Sequence, residues 1–127
     1  MKKSISLFLL IINTLMTQPL TIAVLEFEGK DITNSEASIL TDRLRNELFN
    51  SGNYNVLERN LMEDILKEQG LQQSGICNSS ECAVEIGNIL GVEQLVGGSI
   101  GKIGNMYTIS ARIIEVETGK LINSANY

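Results

Sequence analysis

The chain has 127 residues, which suits a single domain, and its 10 Lys and Arg against 15 Asp and Glu give a formal charge of −5. It contains no His, which excludes a Ser-His-Asp triad, a Cys-His dyad and any zinc site with His ligands. The acidic balance also argues against a nucleic-acid-binding protein, which would need a basic face.

The first twenty residues have the charge and hydropathy order of a secretory signal peptide. Lys2 and Lys3 precede an apolar run, Ile5–Ile12, that is too short for a convincing membrane span. A buried amino-terminal strand or helix is the alternative. We predict a signal peptide over residues 1–20 and a mature domain over residues 21–127. Because both lysines leave with the signal peptide, about 107 residues with a charge of about −7 remain.

The next elements alternate between strand and helix. Thr21–Phe27 is a short apolar run typical of a buried central strand, and Glu28–Asp31 reads as a loop. Thr33 and Glu36 have the spacing of a capping box, so they predict the start of a first helix that ends at Gly52. Its buried face is predicted to comprise Ala37, Leu40, Thr41, Leu44, Leu48 and Phe49.

A second strand and two further helices are predicted next. Tyr54–Glu58 is the strand, Asn60 is the expected cap of the second helix, and Gly70 ends that helix. Leu71–Ser80 is polar and predicts a loop. A third helix closes at Gly91, and its apolar stripe is Cys82, Ala83, Ile86, Ile89 and Leu90.

From Gln94 onwards the pattern has the period of two that is typical of strands. Gln94–Ile103 is an apolar run, Gly104–Asn105 predicts a turn, and apolar residues alternate with polar ones over Tyr107–Ile113. Glu117–Lys120 predicts a second turn before a last strand, Leu121–Tyr127. The predicted fold is a single-domain α/β sandwich. Its mixed sheet has about five strands, ends in an antiparallel meander and carries about three helices.

Cys77 and Cys82 are the two cysteines of the chain, and four residues separate them. In an exported protein an even pair this close predicts a disulfide, which would tie the polar loop to the third helix. Two thiolates without His cannot complete a four-ligand zinc site, and the spacing is not C-x-x-C. Free thiols are the main alternative, and a redox or metal function is the other.

The remaining candidates for chemistry are weaker. Glycines cluster in the predicted fourth strand and its turn, at Gly97, Gly98, Gly101 and Gly104. They do not make a phosphate-binding loop, because Ile103 follows Lys102 where such a loop needs Ser or Thr. Glu26 and Glu28 lie two apart and could serve acid–base chemistry, but the missing partners favour a solvated strand end. We therefore expect no catalytic residue, cofactor or metal, and no enzyme activity.

Five segments stand in a recognisable order along the chain: Ile22–Phe27, Leu57–Arg59, Glu81–Gly87, Gly98–Ile100 and Ala111–Lys120. Their order and spacing resemble the CsgG family, the curli production assembly/transport component of bacterial envelopes. The similarity runs over Thr21–Tyr127. More distantly, the chain is similar to periplasmic domains of penicillin-binding-protein activator lipoproteins and to the amino-terminal domain of TolB.

The resemblance implies a periplasmic α/β domain of the cell envelope. Pore-forming members are acylated on a Cys after the signal peptide, and residues 13–21 contain none. Those members also insert a long membrane hairpin where this chain has only the short turn between Gly101 and Tyr107, so pore activity is not expected.

What the resemblance still implies is an interaction module that binds protein partners or its own copies in an outer-membrane assembly or secretion system. We expect neither nucleic-acid binding nor a membrane span in the mature chain. A periplasmic sensor of a small ligand or cell-wall fragment is the alternative. The expected contact site is an edge strand that comprises Leu121, Ile122, Asn123, Ser124 and Ala125.

Overall fold

A computed structural model of the protein describes residues 18–71 and 80–126. Over these residues the chain forms three helices and one mixed sheet, which confirms the predicted α/β class and the antiparallel meander at its end. In chain order the elements are β1 (Leu20–Val24), β2 (Glu28–Lys30), α1 (Asn34–Asn50), β3 (Tyr54–Val56), α2 (Arg59–Glu68), α3 (Ser80–Leu90), β4 (Gln94–Ile103), β5 (Met106–Glu115) and β6 (Leu121–Asn126).

The strand order in the sheet is β3-β1-β4-β5-β6, so β3 and β6 form its two edges in the described part of the chain. β1 pairs in parallel with both β3 and β4, whereas β4, β5 and β6 pair antiparallel. The register of the β4–β5 hairpin runs without interruption from Gln94 opposite Glu115 to Ile103 opposite Met106. The β5–β6 pairing contains an irregularity between Ile113 and Ile114.

The loop predicted over Glu28–Asp31 is wrong, because Glu28–Lys30 forms the short strand β2. β2 pairs in parallel with β4, with Glu28 opposite Ser99, and so continues along β4 beyond the end of β1. β4 has 10 residues and β1 has 5, so part of the β4 edge would lack hydrogen-bond partners without β2.

Helices cover both faces of the sheet, and β1 lies between them. Because successive strand residues point to opposite faces, Ile22 and Val24 pack on the α1 side while Ala23 and Leu25 pack on the side of α2 and α3. Ile22, Ala23 and Val24 have no exposed surface. β1 is therefore the central strand that joins two separate apolar cores.

The helix ends follow the sequence pattern with one exception. The capping box of α1 is present: Thr33 Oγ1 accepts a 3.1 Å hydrogen bond from the Glu36 N–H, and the Glu36 carboxylate accepts one from the Thr33 N–H. The predicted cap at Asn60 is wrong, because Asn60 lies inside α2, which begins at Arg59 with Glu58 as its N-cap residue. The hydrogen bond of Arg59 Nε to Glu63 Oε1 spans this first turn.

Candidate interaction surfaces

A cluster of charged side chains lies where the parallel strands β1 and β3 end, and Arg59 is at its centre. The guanidinium of Arg59 donates from Nη1 to Asp42 Oδ2 at 2.6 Å, from Nε to Glu63 Oε1 at 2.8 Å and from Nη2 to Ser38 Oγ at 2.9 Å. Its Nη2 also lies 3.8 Å from Glu26 Oε2. One side chain therefore connects the end of β1 to α1 and α2, which pack on opposite faces of the sheet.

The hydrogen bond to Glu63 raises the pKa of Arg59 above its ordinary value, and the charges of Asp42 and Glu26 act in the same direction. Partial burial of the guanidinium opposes them, and the net pKa shift is upward. Arg59 thus stays protonated across the accessible pH range, so it has no role in proton transfer.

Glu26 and Glu28 lie in different environments. Both carboxylate oxygens of Glu26 are buried and accept no hydrogen bond from the described residues, and the Arg59 guanidinium is their charged neighbour. Glu28 is exposed on β2. The prediction of a solvated strand end is therefore wrong for Glu26, and the two carboxylates have no shared proton-transfer geometry.

Arg45 is a functional candidate that the sequence pattern missed. Only 6% of its surface is exposed; Nη1 donates to Asp42 Oδ1, and Nη2 donates to the Val24 carbonyl at 2.7 Å. Its Nε has no acceptor among the described residues. Arg45 lies four residues after Thr41 and eight after Ala37, so the three side chains share one face of α1. This spacing could have predicted from the sequence that Arg45 is buried.

A groove of about 490 Å3 lies between the second half of α1 and the turn from β3 to α2. Phe49 forms part of its wall and is 67% exposed, so the prediction that it lies on the buried face of α1 is wrong. The groove therefore combines an apolar wall with the buried Arg45 and the charged cluster. Its lining residues are Asp42, Arg45, Asn46, Phe49, Val56, Leu57, Glu58 and Arg59.

A second groove, of about 440 Å3, lies on the meander where β2, β4, β5 and β6 meet. Its polar lining side chains are Lys30, Ser99, Thr108, Ser110 and Asn126. None of the described residues forms a hydrogen bond with these five side chains.

The predicted contact strand lies in β6, at the edge of the sheet away from β3. Within residues 18–71 and 80–126, β6 pairs with β5 and has no strand on its other side. Leu121 is 55% exposed and Ile122 is 48% exposed. The structure thus places Leu121, Ile122, Asn123, Ser124 and Ala125 together on this edge.

The connection between β4 and β5 is the short turn that the sequence predicts. Gly104 adopts a φ of 60°, which favours glycine, and Ile103 and Met106 on either side are 73% and 72% exposed. Lys102 Nζ lies 5.5 Å from the centre of the Tyr107 ring, within the range of a cation–π contact. The tip of this hairpin is therefore apolar and open to solvent.

The cysteine pairing stays a prediction. Cys77 lies outside the described residues, whereas Cys82 lies in the first turn of α3 and packs against the core beneath α2 and α3. No group of three or more Cys, Asp and Glu side chains that could hold a metal is found among the described residues. None of the helices in the described ranges is long and apolar enough to cross a membrane.

Comparison with solved structures identifies several domains with this fold. The C-terminal domain of LpoB from Escherichia coli matches with a TM-score of 0.67 at 21% identity, over 84% of this chain and 79% of that one. Lipoprotein GNA1162 from Neisseria meningitidis matches with a TM-score of 0.67 at 16% identity, over 86% and 78% of the two chains. TolB from Acinetobacter baumannii has a TM-score of 0.56 at 14% identity, over 87% of this chain but only 23% of its own.

Comparison with protein families identifies one match. Residues 16–106 match the family model described as "Curli production assembly/transport component CsgG", which covers more than half of the chain. No match is found among the curated proteins. Because the family match includes β1 to β4 and all three helices, the chain belongs to the CsgG family.

Proposed function

We propose that the protein is a non-catalytic interaction module of the bacterial cell envelope. It binds protein partners or its own copies as part of an outer-membrane assembly or secretion system. The single observation that carries this proposal is β6, an exposed edge strand without a charged residue. Membership of the CsgG family and the fold shared with lipoprotein GNA1162 support it.

The chemistry of β6 favours strand addition. Edge strands are usually protected against pairing with other chains by proline or by charged side chains such as lysine. Residues Leu121–Asn126 contain neither. Its unpaired backbone groups can therefore accept another extended strand, while Leu121 and Ile122 supply apolar contacts.

The location proposed for this module is the periplasm, reached by export through the signal peptide at residues 1–20. In that oxidising compartment the mature domain, residues 21–127, would contain the Cys77–Cys82 disulfide. The intact mass of the exported protein tests both points, because loss of the signal peptide and loss of two hydrogens change the mass independently.

Crosslinking in periplasmic extract tests the function directly. We expect wild-type protein to yield a crosslinked species, either with a partner or with a second copy, and Ile122→Lys to lose it because the new charge opposes strand addition. Ile103→Lys is the matched control, since Ile103 is also an exposed apolar residue at the sheet end but lies on the hairpin tip. A strictly monomeric wild-type protein that captures no partner would contradict the proposal.

The alternative function is a periplasmic sensor of a small ligand or cell-wall fragment, and the meander groove favours it. The groove brings several hydroxyl and amide side chains and the ammonium group of Lys30 onto one face. Titration with soluble cell-wall fragments would shift the amide resonances of Ser99 and Thr108 if this alternative holds. Unchanged resonances at saturating fragment concentration would exclude it.

A further inference from the structure

We propose that the groove beside β3 binds an extended, uncharged peptide segment of a partner protein. The segment would pair with the free edge of β3 and place one apolar side chain against Phe49. This inference rests on the proposed function, because it gives the same module a second contact surface, at the sheet edge opposite β6.

The backbone of β3 leaves hydrogen-bonding groups unpaired on its outer side. The Leu57 N–H donates to the Ile22 carbonyl at 2.9 Å, so the backbone of Leu57 points towards β1. Because these groups alternate along a strand, those of Tyr54 and Val56 point away from β1, and no other described residue bonds to them there. An extended peptide supplies N–H and C=O groups at the matching spacing.

The groove next to this edge has an apolar wall. Phe49, Val56 and Leu57 line it, and Phe49 is the most exposed of the three. Its volume of about 490 Å3 is ample for one large side chain together with its backbone. A large exposed aromatic side chain beside an unpaired strand is the kind of anchor that dominates peptide binding.

The polar end of the groove determines the charge of the occupant. Arg45 lines it and is only 6% exposed, and its Nη1 and Nη2 already donate to Asp42 and to the Val24 carbonyl. The charges of Arg45 and Arg59 are balanced by those of Asp42 and Glu58 in the same lining, so the groove does not require a carboxylate ligand.

Peptide selection followed by affinity measurement tests the proposal. A library of short linear peptides displayed on phage is selected on the purified protein, and the selected peptides are synthesised and titrated by fluorescence anisotropy. We expect Phe49→Ser to weaken binding at least about tenfold, because Phe49 is the apolar anchor. Ile39→Ser should leave it unchanged. Ile39 is the matched control, since it is 65% exposed on the same helix but does not line the groove.

Two further measurements separate strand addition from a simple apolar contact. N-methylation of the peptide amide that pairs with Val56 should weaken binding by about tenfold, because it removes one backbone hydrogen bond. Bound peptide should shift the NMR resonances of the Tyr54–Leu57 amides.

Several outcomes would overturn the proposal: no peptide is selected, Phe49→Ser binds the peptides as well as wild type, or the NMR shifts fall on β6. A dimer of the wild-type protein that Phe49→Ser dissociates would place a second copy in the groove and overturn the assignment to a partner. A protein that crosslinks through β6 but selects no groove peptide would retain the proposed function and lose only this inference.

Discussion

Arg59 Nη1 donates a 2.6 Å hydrogen bond to Asp42 Oδ2, 17 residues earlier in the chain, and so joins helices on opposite faces of the sheet. Asp42 also accepts from Arg45, whose Nη2 binds the carbonyl of Val24 at the end of β1. These contacts form a polar bridge at the end of β1, between the helices that cover the two faces of the sheet. The groove beside β3 is built against this bridge, so its shape depends on it.

Loss of the bridge is predicted to destabilise the protein. Arg59→Met removes the only described cation near Glu26 and leaves a buried carboxylate unpaired, so we expect a loss of about 1–2 kcal/mol in the free energy of unfolding. This loss is smaller than the roughly 3–5 kcal/mol for breaking a fully buried ion pair, because 34% of the Arg59 side chain is exposed.

Urea unfolding monitored by circular dichroism measures this change. Arg43→Met is the control, because Arg43 is exposed on α1 and forms no ion pair with a described residue. Equal stability of the two variants would show that the bridge makes no net contribution.

Gly87 allows α3 to approach the sheet closely. A Cβ atom at this position would lie 2.4 Å from Val116 Cγ2, so Gly87→Ala should lower stability by about 1–3 kcal/mol through overpacking. Thermal unfolding tests this prediction against Gly97→Ala, because a Cβ at Gly97 meets no atom within 4 Å. If the cause is steric, the double variant Gly87→Ala with Val116→Ala should be more stable than the two single changes predict by addition.

Thr41 is completely buried and acts through its hydroxyl group. Its Oγ1 accepts a hydrogen bond from the Phe27 N–H at 3.2 Å and donates one to the Ala37 carbonyl at 2.8 Å. Thr41→Val keeps the shape but leaves the Phe27 N–H without an acceptor, which should cost about 1–3 kcal/mol in unfolding free energy. Thr41→Ser is the control, because it keeps the hydroxyl group. Amide hydrogen exchange at Phe27 should accelerate only in the Thr41→Val variant. Equal exchange rates in the two variants would contradict this role of the Thr41 hydroxyl.

The capping box of α1 should contribute measurably to stability. Thr33→Ala removes the acceptor for the Glu36 N–H, and we expect a loss of about 1 kcal/mol in denaturant unfolding. Ser35→Ala, an exposed change one residue inside the helix, is the control and should remain within about 0.5 kcal/mol of wild type. A smaller effect for Thr33→Ala than for its control would show that the cap is dispensable.

Periodicity and turn chemistry predicted the helices and the long strands well. Gln94–Ile103 and the turn at Gly104 agree with the structure residue for residue, because an apolar run bounded by glycine has few alternatives. β2 was missed, since three residues of mixed polarity give no period and form a strand only where β4 offers a free edge.

The two candidate surfaces also differ in how far the sequence predicted them. The position of β6 at an edge follows from its late place in a meander, and the sequence predicts it. The groove beside β3 does not follow from local pattern, because Phe49 and Arg45 on α1 meet Val56 and Arg59 only after the chain has returned through β3.

By itself, the sequence determined the class of the fold, the family and the absence of histidine chemistry, because composition, local periodicity and the order of motifs are properties of the chain alone. Only the tertiary structure decided that Glu26 is buried against Arg59 and that Arg45 Nε has no acceptor among the described residues. Burial and ion pairing depend on which distant segments pack together. In this protein the burial and the ion pairs lie where α1, β1 and α2 pack together. These three elements come from separate segments of the sequence.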